Sequence, residues 1–359
     1  MRGAVLTEVG KPLEIRDDLE LRAPQEGEVL VALRASGVCH SDLSLQNGTL
    51  AAAVPVVLGH EGAGEVLATG PGVTGVSAGD HVILSWIPPC GQCFFCLGSQ
   101  PQLCTSVRAA RADRPSPLRD SDGPVNVGLG IGTFGEQTVV PVQAAIPIDP
   151  DIPFDVAALV GCGVMTGVGA AINTARVRPG SVVVVIGCGG VGLNVIQGAR
   201  LAGAATILAV DRVDYKLEMA RRFGATDVTH DIDLADAIGR LTGGIGADYA
   251  FEVVGRSATI RQAFDATRRG GTTVVVGAGS RTDEVVFNAG ELFSSERKLL
   301  GCIYGSADVR TDFRRLLRLW QAGRLDLTGL VSRHIRVDEV NDAFKAMEAG
   351  EVVRSVITF

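Results

Sequence analysis

The chain has 359 residues, 46% of them hydrophobic and 20% charged, with 46 glycines and a formal net charge of −7. That length exceeds one ordinary core and predicts about two domains, and the composition is that of a globular chain, not a disordered one. The acidic balance excludes a general nucleic-acid binder, which needs a dominant basic surface.

From Met1 to Lys11 the sequence mixes short apolar stretches with Glu8 and Gly10, and it lacks the apolar run of a secretory leader. No stretch reads as the roughly 18 consecutive apolar residues of a membrane span. A cytoplasmic protein without a membrane partner is therefore expected. In that compartment the eight cysteines serve as metal ligands or buried thiols, because disulfides are not kept there. The runs Glu28–Leu33, Gly64–Ala68 and His81–Leu84, separated by Gly, Pro and Asp turns, predict a β-rich region folded as a barrel or bent sheet. Segment Thr105–Asn126, polar and carrying Arg108, Arg111, Arg114 and Arg119, predicts a solvated surface loop.

The pattern changes after Pro179. Ser181–Ile186 is a continuous β-branched run, as a strand buried on both faces requires. A glycine-rich turn follows, then a helical stretch Val191–Ala202, a strand Thr206–Val210 and a helix Tyr215–Phe223 closing at Gly224. Further strands at Tyr249–Val254 and Thr272–Val276 continue the alternation, which predicts a doubly wound parallel sheet. The final segment, ending in the strand-like Ser355–Phe359, is expected to rejoin the first domain. The expected organisation is a catalytic domain of residues 1–163 with a cysteine lobe at 90–104, an inserted α/β domain of residues 164–303, and a return over 304–359.

Gly187-Cys188-Gly189-Gly190-Val191-Gly192 directly follows the Ser181–Ile186 run and opens a helix. In a dinucleotide-binding turn the first glycine allows the tight bend, the second lets the backbone approach a pyrophosphate, and the third lets helix pack on strand. The pyrophosphate then sits on amide groups at the helix N-terminus. Asp211 ends the next strand, where a carboxylate accepts hydrogen bonds from an adenosine ribose and repels a 2′-phosphate. NAD is favoured over NADP, with Arg212 pulling slightly the other way. A purely structural glycine turn is the competing reading.

Cys90, Cys93, Cys96 and Cys104 follow the spacing C-x2-C-x2-C-x7-C, which suits a closed tetrahedral thiolate site of the kind that holds structural zinc. Cys39, His60 and Cys162 lie in small-residue contexts: Gly37-Val38-Cys39-His40, Gly59-His60-Glu61 and Gly161-Cys162-Gly163. Two thiolates and an imidazole would leave one open position on a catalytic zinc. Spacing alone leaves this trio divided between metal ligands and packed core residues.

Gly59-His60-Glu61-Gly62-Ala63-Gly64, the cysteine lobe, Gly161-Cys162-Gly163 and the glycine turn, in this order, resemble the zinc-containing alcohol dehydrogenases of the medium-chain dehydrogenase/reductase superfamily. The long segment between the lobe and Cys162 makes the chain most similar to the class I and class III branch. The resemblance implies a GroES-like β-rich catalytic domain with an inserted Rossmann domain, a homodimer, and two zinc ions per chain, one catalytic and one structural. It implies an NAD-dependent exchange of hydride with a small alcohol or aldehyde. Cys39, His60 and Cys162 would hold the catalytic zinc with Glu61 beside it, and Asp42 would orient His60. Ser41 would take the alcohol proton. Thr166 and Val191 would press on the nicotinamide, Asp211 and Lys216 would bind the adenosine ribose, and His40 and Arg354 the pyrophosphate.

Two departures bear on chemistry and substrate. Relatives often end the proton relay in a His three residues after Ser41, where this chain has Ser44. The enzymes acting on S-hydroxymethylglutathione carry an acidic residue where this chain has Leu50 and an arginine where it has Arg108. With Leu50 in place, and Trp86 and Leu129 as apolar walls, a medium-chain or aromatic primary alcohol is the expected substrate. A glutathione or mycothiol adduct of formaldehyde is the alternative. His81, His230, His334, Cys188 and Cys302 are expected to be structural.

Overall fold

The structure is a computed structural model, and it describes residues 1–106, 109–110, 115–230 and 234–359. Arg108, Arg111 and Arg114 of the expected loop lie outside the described residues. The chain divides into two compact units, Met1–Gly163 with Asp308–Phe359, and Val164–Ala307. The return to the first unit starts at Asp308, not at 304, because the turn Tyr304–Ser306 is tied into the second unit. There Asn173 Nδ2 donates to the Gly305 carbonyl at 3.1 Å, and the Thr174 and Ser306 hydroxyls meet at 2.8 Å.

Among the described residues of the first unit, a seven-stranded sheet runs Ala145–Pro147, His81–Leu84, Glu61–Thr69, Glu28–Gly37, Arg354–Thr358, Val331–Ile335, with Gln137–Pro141 also pairing to Glu28–Gly37. Glu28–Gly37 is the hub, since it pairs antiparallel with Glu61–Thr69, Gln137–Pro141 and Arg354–Thr358. Its Val29, Val31 and Leu33 enter one apolar cluster with Val66, Val82 and Leu84. A second, six-stranded sheet contains Gly3–Leu6 and Val56–Val57. It also takes in Leu118–Arg119 and Pro124–Val127, which pair antiparallel. Part of the segment expected to be loop therefore forms a hairpin. Buried Leu118 and Val125 pair across it and supply the apolar anchor.

The second unit is a six-stranded, all-parallel sheet in the order Asp227–Thr229, Thr206–Val210, Val182–Ile186, Ala247–Glu252, Thr267–Val275, Lys298–Gly301. The chain moves outward from Val182–Ile186 in one direction and then returns to its other side, which creates the switch point at which such sheets bind ligands. Helix Asp214–Phe223 ends where Gly224 takes φ +114, the left-handed geometry that stops a helix.

Residues Phe154–Thr174 form one 21-residue helix that is long and apolar enough to cross a membrane by length and composition, contrary to the expectation of no such stretch. Gly and Ala break up its Val, Leu and Ile residues, so the run does not read as continuous. Its apolar window is 89% buried, the state of a core helix. Two π-helical segments, Val160–Val164 and Ala170–Thr174, interrupt the α-helical pattern, and such segments recur at functional positions.

Candidate active site

Cys39 is the residue before helix His40–Gln46, placed there as the chain leaves strand Glu28–Gly37. His60 and Glu61 stand at the start of strand Glu61–Thr69, and Cys162 sits within the π-helical segment Val160–Val164. The fold brings Cys39, His60, Glu61 and Cys162 together, so that their ligand atoms lie within 4.8 Å of one another, and all four are buried.

Asp42 organises this cluster. Its carboxylate accepts from the Cys39 amide at 3.1 Å and the Gly59 amide at 3.1 Å, and its Oδ1 lies 2.8 Å from His60 Nδ1. A carboxylate on Nδ1 fixes the ring and leaves Nε2 as the ligating nitrogen, as metal-bound imidazoles require. Burial works against a charged His60, but Asp42 and Cys39 outweigh it and raise the imidazole well above its ordinary value. The hydrogen bond from Cys162 holds the Cys39 thiol well below its usual range, while the same contact, with burial, pushes Cys162 well above it. Two thiols this close do not both ionise unless a cation neutralises them, and a divalent metal would take both as thiolates. Two thiolates, an imidazole and a carboxylate are a donor set that fits zinc.

Glu61 has its own counter-ion. Oε1 accepts from the Gly163 amide at 3.1 Å and lies 3.1 Å from Arg354 Nη2, while Arg354 Nη1 donates to the Val38 carbonyl at 3.2 Å. Burial pushes the Glu61 carboxyl up to about 8, against the pull of Arg354. Oε2 has no hydrogen-bond partner in the protein, which leaves an acceptor free beside the thiols. Gly37 and Gly163 make room for this pair: a Cβ at Gly37 would strike Glu61 Oε2, and one at Gly163 would strike Arg354 Nη2. Arg354, expected at the pyrophosphate, thus has its guanidinium engaged with Glu61. Sequence reading missed this pairing. Only the glycines flanking Cys39 and Cys162 signalled that something needed the space.

Around the cluster, Ser41 is half-buried, Ser44 is buried, and His40 is exposed on the first turn of its helix. The Trp86 ring meets His60 edge-on, with centroids 6.1 Å apart. Leu50 and Leu129 pack on the rim of one apolar cluster. A cavity of about 550 Å³ opens in the first unit, lined in part by Leu45, Leu58, Ala52, Leu129 and the Arg22–Glu28 ion pair. None of the four clustered ligand side chains lines it.

The four lobe cysteines also converge within 4.8 Å, with sulfur separations of 3.9 Å for Cys90–Cys96 and 3.8 Å for Cys93–Cys104. Backbone amides point at the sulfurs: Gln92 and Cys93 donate to Cys90 Sγ at 3.5 and 3.3 Å, and Cys90 donates to Cys104 Sγ at 3.4 Å. The Gln92 amide leads the effects that lower the Cys90 thiol to about 6. Such an amide-wrapped tetrathiolate leaves no side open for substrate.

In the second unit Gly187 takes φ +96, and Gly189 precedes helix Gly190–Leu201. A Cβ at Gly192 would strike the Gly187 carbonyl oxygen, whereas one at Gly189 would meet open space. Gly192 is therefore needed for packing, and Gly189 keeps clear a region that the protein does not fill. Asp211 folds onto the turn, accepting from the Cys188 amide at 2.8 Å and the Val213 amide at 3.1 Å. Lys216, half-buried, lies on helix Asp214–Phe223 beyond it. Thr166 and Val191 are buried and half-buried in this unit. Cys188 is buried, and burial raises its thiol. The exposed His230 and His334 pair with Asp214 and Asp155.

Residues 25–150 match the family model described as an alcohol dehydrogenase GroES-like domain, and residues 190–322 match that of a zinc-binding dehydrogenase. The chain is 39% identical to an alcohol dehydrogenase class-3 of Cereibacter sphaeroides, covering 100% of this chain and 99% of that one. It is 37% identical to an S-(hydroxymethyl)glutathione dehydrogenase of Paracoccus denitrificans over 100% of this chain and 99% of the relative. The crystal structure of benzyl alcohol dehydrogenase from Acinetobacter calcoaceticus superposes with a TM-score of 0.91 at 33% identity, covering 100% of this chain and 99% of that one.

Proposed function

Because this chain belongs to the zinc-containing alcohol dehydrogenases of the medium-chain dehydrogenase/reductase superfamily, we propose that it interconverts a primary alcohol and its aldehyde with NAD as hydride carrier. The observation that carries the reading is the convergence of Cys39, His60, Glu61 and Cys162 within 4.8 Å, with Asp42 on the back of the imidazole. Cys39, His60 and Cys162 are the residues to hold a catalytic zinc, and Cys90, Cys93, Cys96 and Cys104 a structural one. When bound, the catalytic zinc supplies Lewis acidity toward an alcohol oxygen and NAD accepts the hydride.

The chain's own residues do the rest. Asp42 keeps His60 in the tautomer that presents Nε2. Ser41, two residues after Cys39, relays the proton: its oxygen takes the alcohol proton as its own hydroxyl proton passes on. Ser44 is no base near neutral pH, so the proton leaves through water. Glu61, held by Arg354 and Gly163, offers a carboxylate at the same point. Gly187, Gly189, Gly190 and Gly192 with the following helix receive the pyrophosphate. Asp211 and Lys216 take the adenosine ribose, and the Asp211 charge disfavours a 2′-phosphate. Thr166 and Val191 border the nicotinamide.

Leu50, Trp86 and Leu129 support a medium-chain or aromatic alcohol, in keeping with the benzyl alcohol dehydrogenase among the similar structures. The second reading is a thiol adduct of formaldehyde. It is favoured by the Paracoccus relative. A homodimeric, cytoplasmic enzyme with two zinc ions per chain completes the proposal. The test is NAD reduction measured over simple alcohols and thiol–formaldehyde adducts, with zinc counted per chain. No NAD reduction with any alcohol or adduct by the two-zinc protein would overturn it.

A further inference from the structure

Glu252 closes strand Ala247–Glu252 in the second unit, and its side chain is wholly withdrawn from solvent. It is in register with Ile186, the residue just before the glycine turn. Its Oε1 accepts three hydrogen bonds: from the Val254 amide at 2.8 Å, the Gly255 amide at 2.7 Å and the Thr259 hydroxyl at 2.7 Å. Its Oε2 has no hydrogen-bond partner. Burying a carboxylate with one oxygen unused is unfavourable, and an aliphatic residue would end the strand without that cost.

The compensation is the path of the chain that follows. Two consecutive amides and a hydroxyl gathered on one oxygen bend Val253–Gly255 back over the strand end, where Gly255 takes φ +85. The bend is pressed against the dinucleotide turn. A Cβ at Gly187 would come within 2.9 Å of Val254 Cγ2 and 3.3 Å of the Val253 carbonyl carbon. On the other side Gly255 abuts backbone, since a Cβ there would lie 2.8 Å from the Ala278 carbonyl carbon and 3.0 Å from the Gly279 nitrogen. The bend is wedged between the first glycine of the turn and the segment Ala278–Gly279 that follows the next strand, and its shape sets where Gly187 can stand.

We infer that Glu252 is a positioning residue for the nicotinamide dinucleotide: its carboxylate clamps Val253–Gly255 and thereby fixes Gly187 at the pyrophosphate turn. The inference rests on reading Gly187–Gly192 as the dinucleotide turn. It goes beyond that reading by assigning cofactor affinity to a buried group that never touches the cofactor.

The test uses the zinc-loaded full chain, NADH binding read by fluorescence titration, the KM for NAD, kcat at saturating NAD, and Tm. Glu252→Ala is expected to weaken NADH binding and raise the KM for NAD by roughly ten-fold, with kcat held within about two-fold. Glu252→Gln, which keeps a planar group with one carbonyl acceptor, is expected to recover most of the affinity. Thr259→Val, which removes one of the three donors, should weaken NADH by about two- to three-fold. A Glu252→Ala chain that loses Tm but binds NADH like the parent overturns the inference and leaves the carboxylate a structural group. If Glu252→Ala does not fold, Thr259→Val decides, and unchanged NADH affinity there overturns it. If the parent chain does not bind NADH at all, the dinucleotide reading fails first, a result distinct from either.

Discussion

Arg354 Nη2 lies 3.1 Å from Glu61 Oε1, with the arginine side chain 6% and the glutamate 0% exposed. The guanidinium comes from the strand that completes the sheet, and the carboxylate from the turn that carries His60. Among the described residues each is the other's ion-pair partner, so removing one strands the other in the interior.

Arg354→Met is therefore expected to destabilise the chain by about 3–5 kcal/mol, because Glu61 is left buried and unpaired. Adding Glu61→Gln should restore much of that loss. Denaturant unfolding of the single and double variants checks it, and a double variant no more stable than Arg354→Met would refute the pairing argument.

Cys162→Ala, Cys39→Ala and His60→Ala should each abolish turnover while the lobe keeps its zinc. Metal analysis should then read one zinc per chain instead of two. A Cys162→Ala protein with two zincs and near-parental turnover would show that the cluster is not the catalytic centre.

Cofactor choice should follow Asp211, whose carboxylate caps the Cys188 and Val213 amides at the ribose end of the turn. Catalytic efficiency with NAD should exceed that with NADP by a wide margin, and Asp211→Gly should shrink it, with Arg212 then facing the phosphate. Equal efficiencies in the parent enzyme would sink the assignment.

Cys93→Ser opens the tetrathiolate lobe. Zinc sites of this type contribute on the order of 10 kcal/mol to folding in isolated peptides, and less where a loop is already held by a larger unit. The variant should lose one zinc and melt at lower temperature, with kcat changed least. Unchanged melting after loss of that zinc would contradict this.

On substrate, benzyl alcohol or octanol should give a higher kcat/KM than the S-hydroxymethyl adducts of glutathione and mycothiol. Where the resemblance places an acidic partner for the ammonium of glutathione, this chain has Leu50, and an unpaired charge costs more than a missing apolar contact. A clear advantage for either adduct would reverse the choice.

What could be read without the fold was the chemistry written locally. The glycine turn and the four lobe cysteines each lie within one short continuous segment, 187–192 and 90–104, so spacing alone states their geometry. The four inner strands of the second unit were equally plain, because a run such as Val182–Ile186, buried on both sides, must be apolar throughout. The short edge strands Asp227–Thr229 and Lys298–Gly301 carry no buried run and were not read. The catalytic cluster is different. Cys39, His60 and Cys162 are gathered from a helix start, a strand start and a π-helical segment, and only the family resemblance joined them. Nothing in the sequence paired Arg354 with Glu61, because that contact depends on Arg354–Thr358 lying beside Glu28–Gly37. The hairpin of Leu118–Arg119 and Pro124–Val127 was hidden by its prolines and charges, since two buried side chains are too few to make a period.

The pairing of Val356 with Gly37 and Ile357 with Ser36 also sets an order of events during synthesis. The strand leading into Cys39 lacks one of its three neighbours until residues 354–358 have left the ribosome, after the whole second unit has emerged. That unit, whose described strands pair with one another, can fold before the sheet of the first is complete. A nascent chain stalled before Arg354 would therefore present Glu61 without its counter-ion.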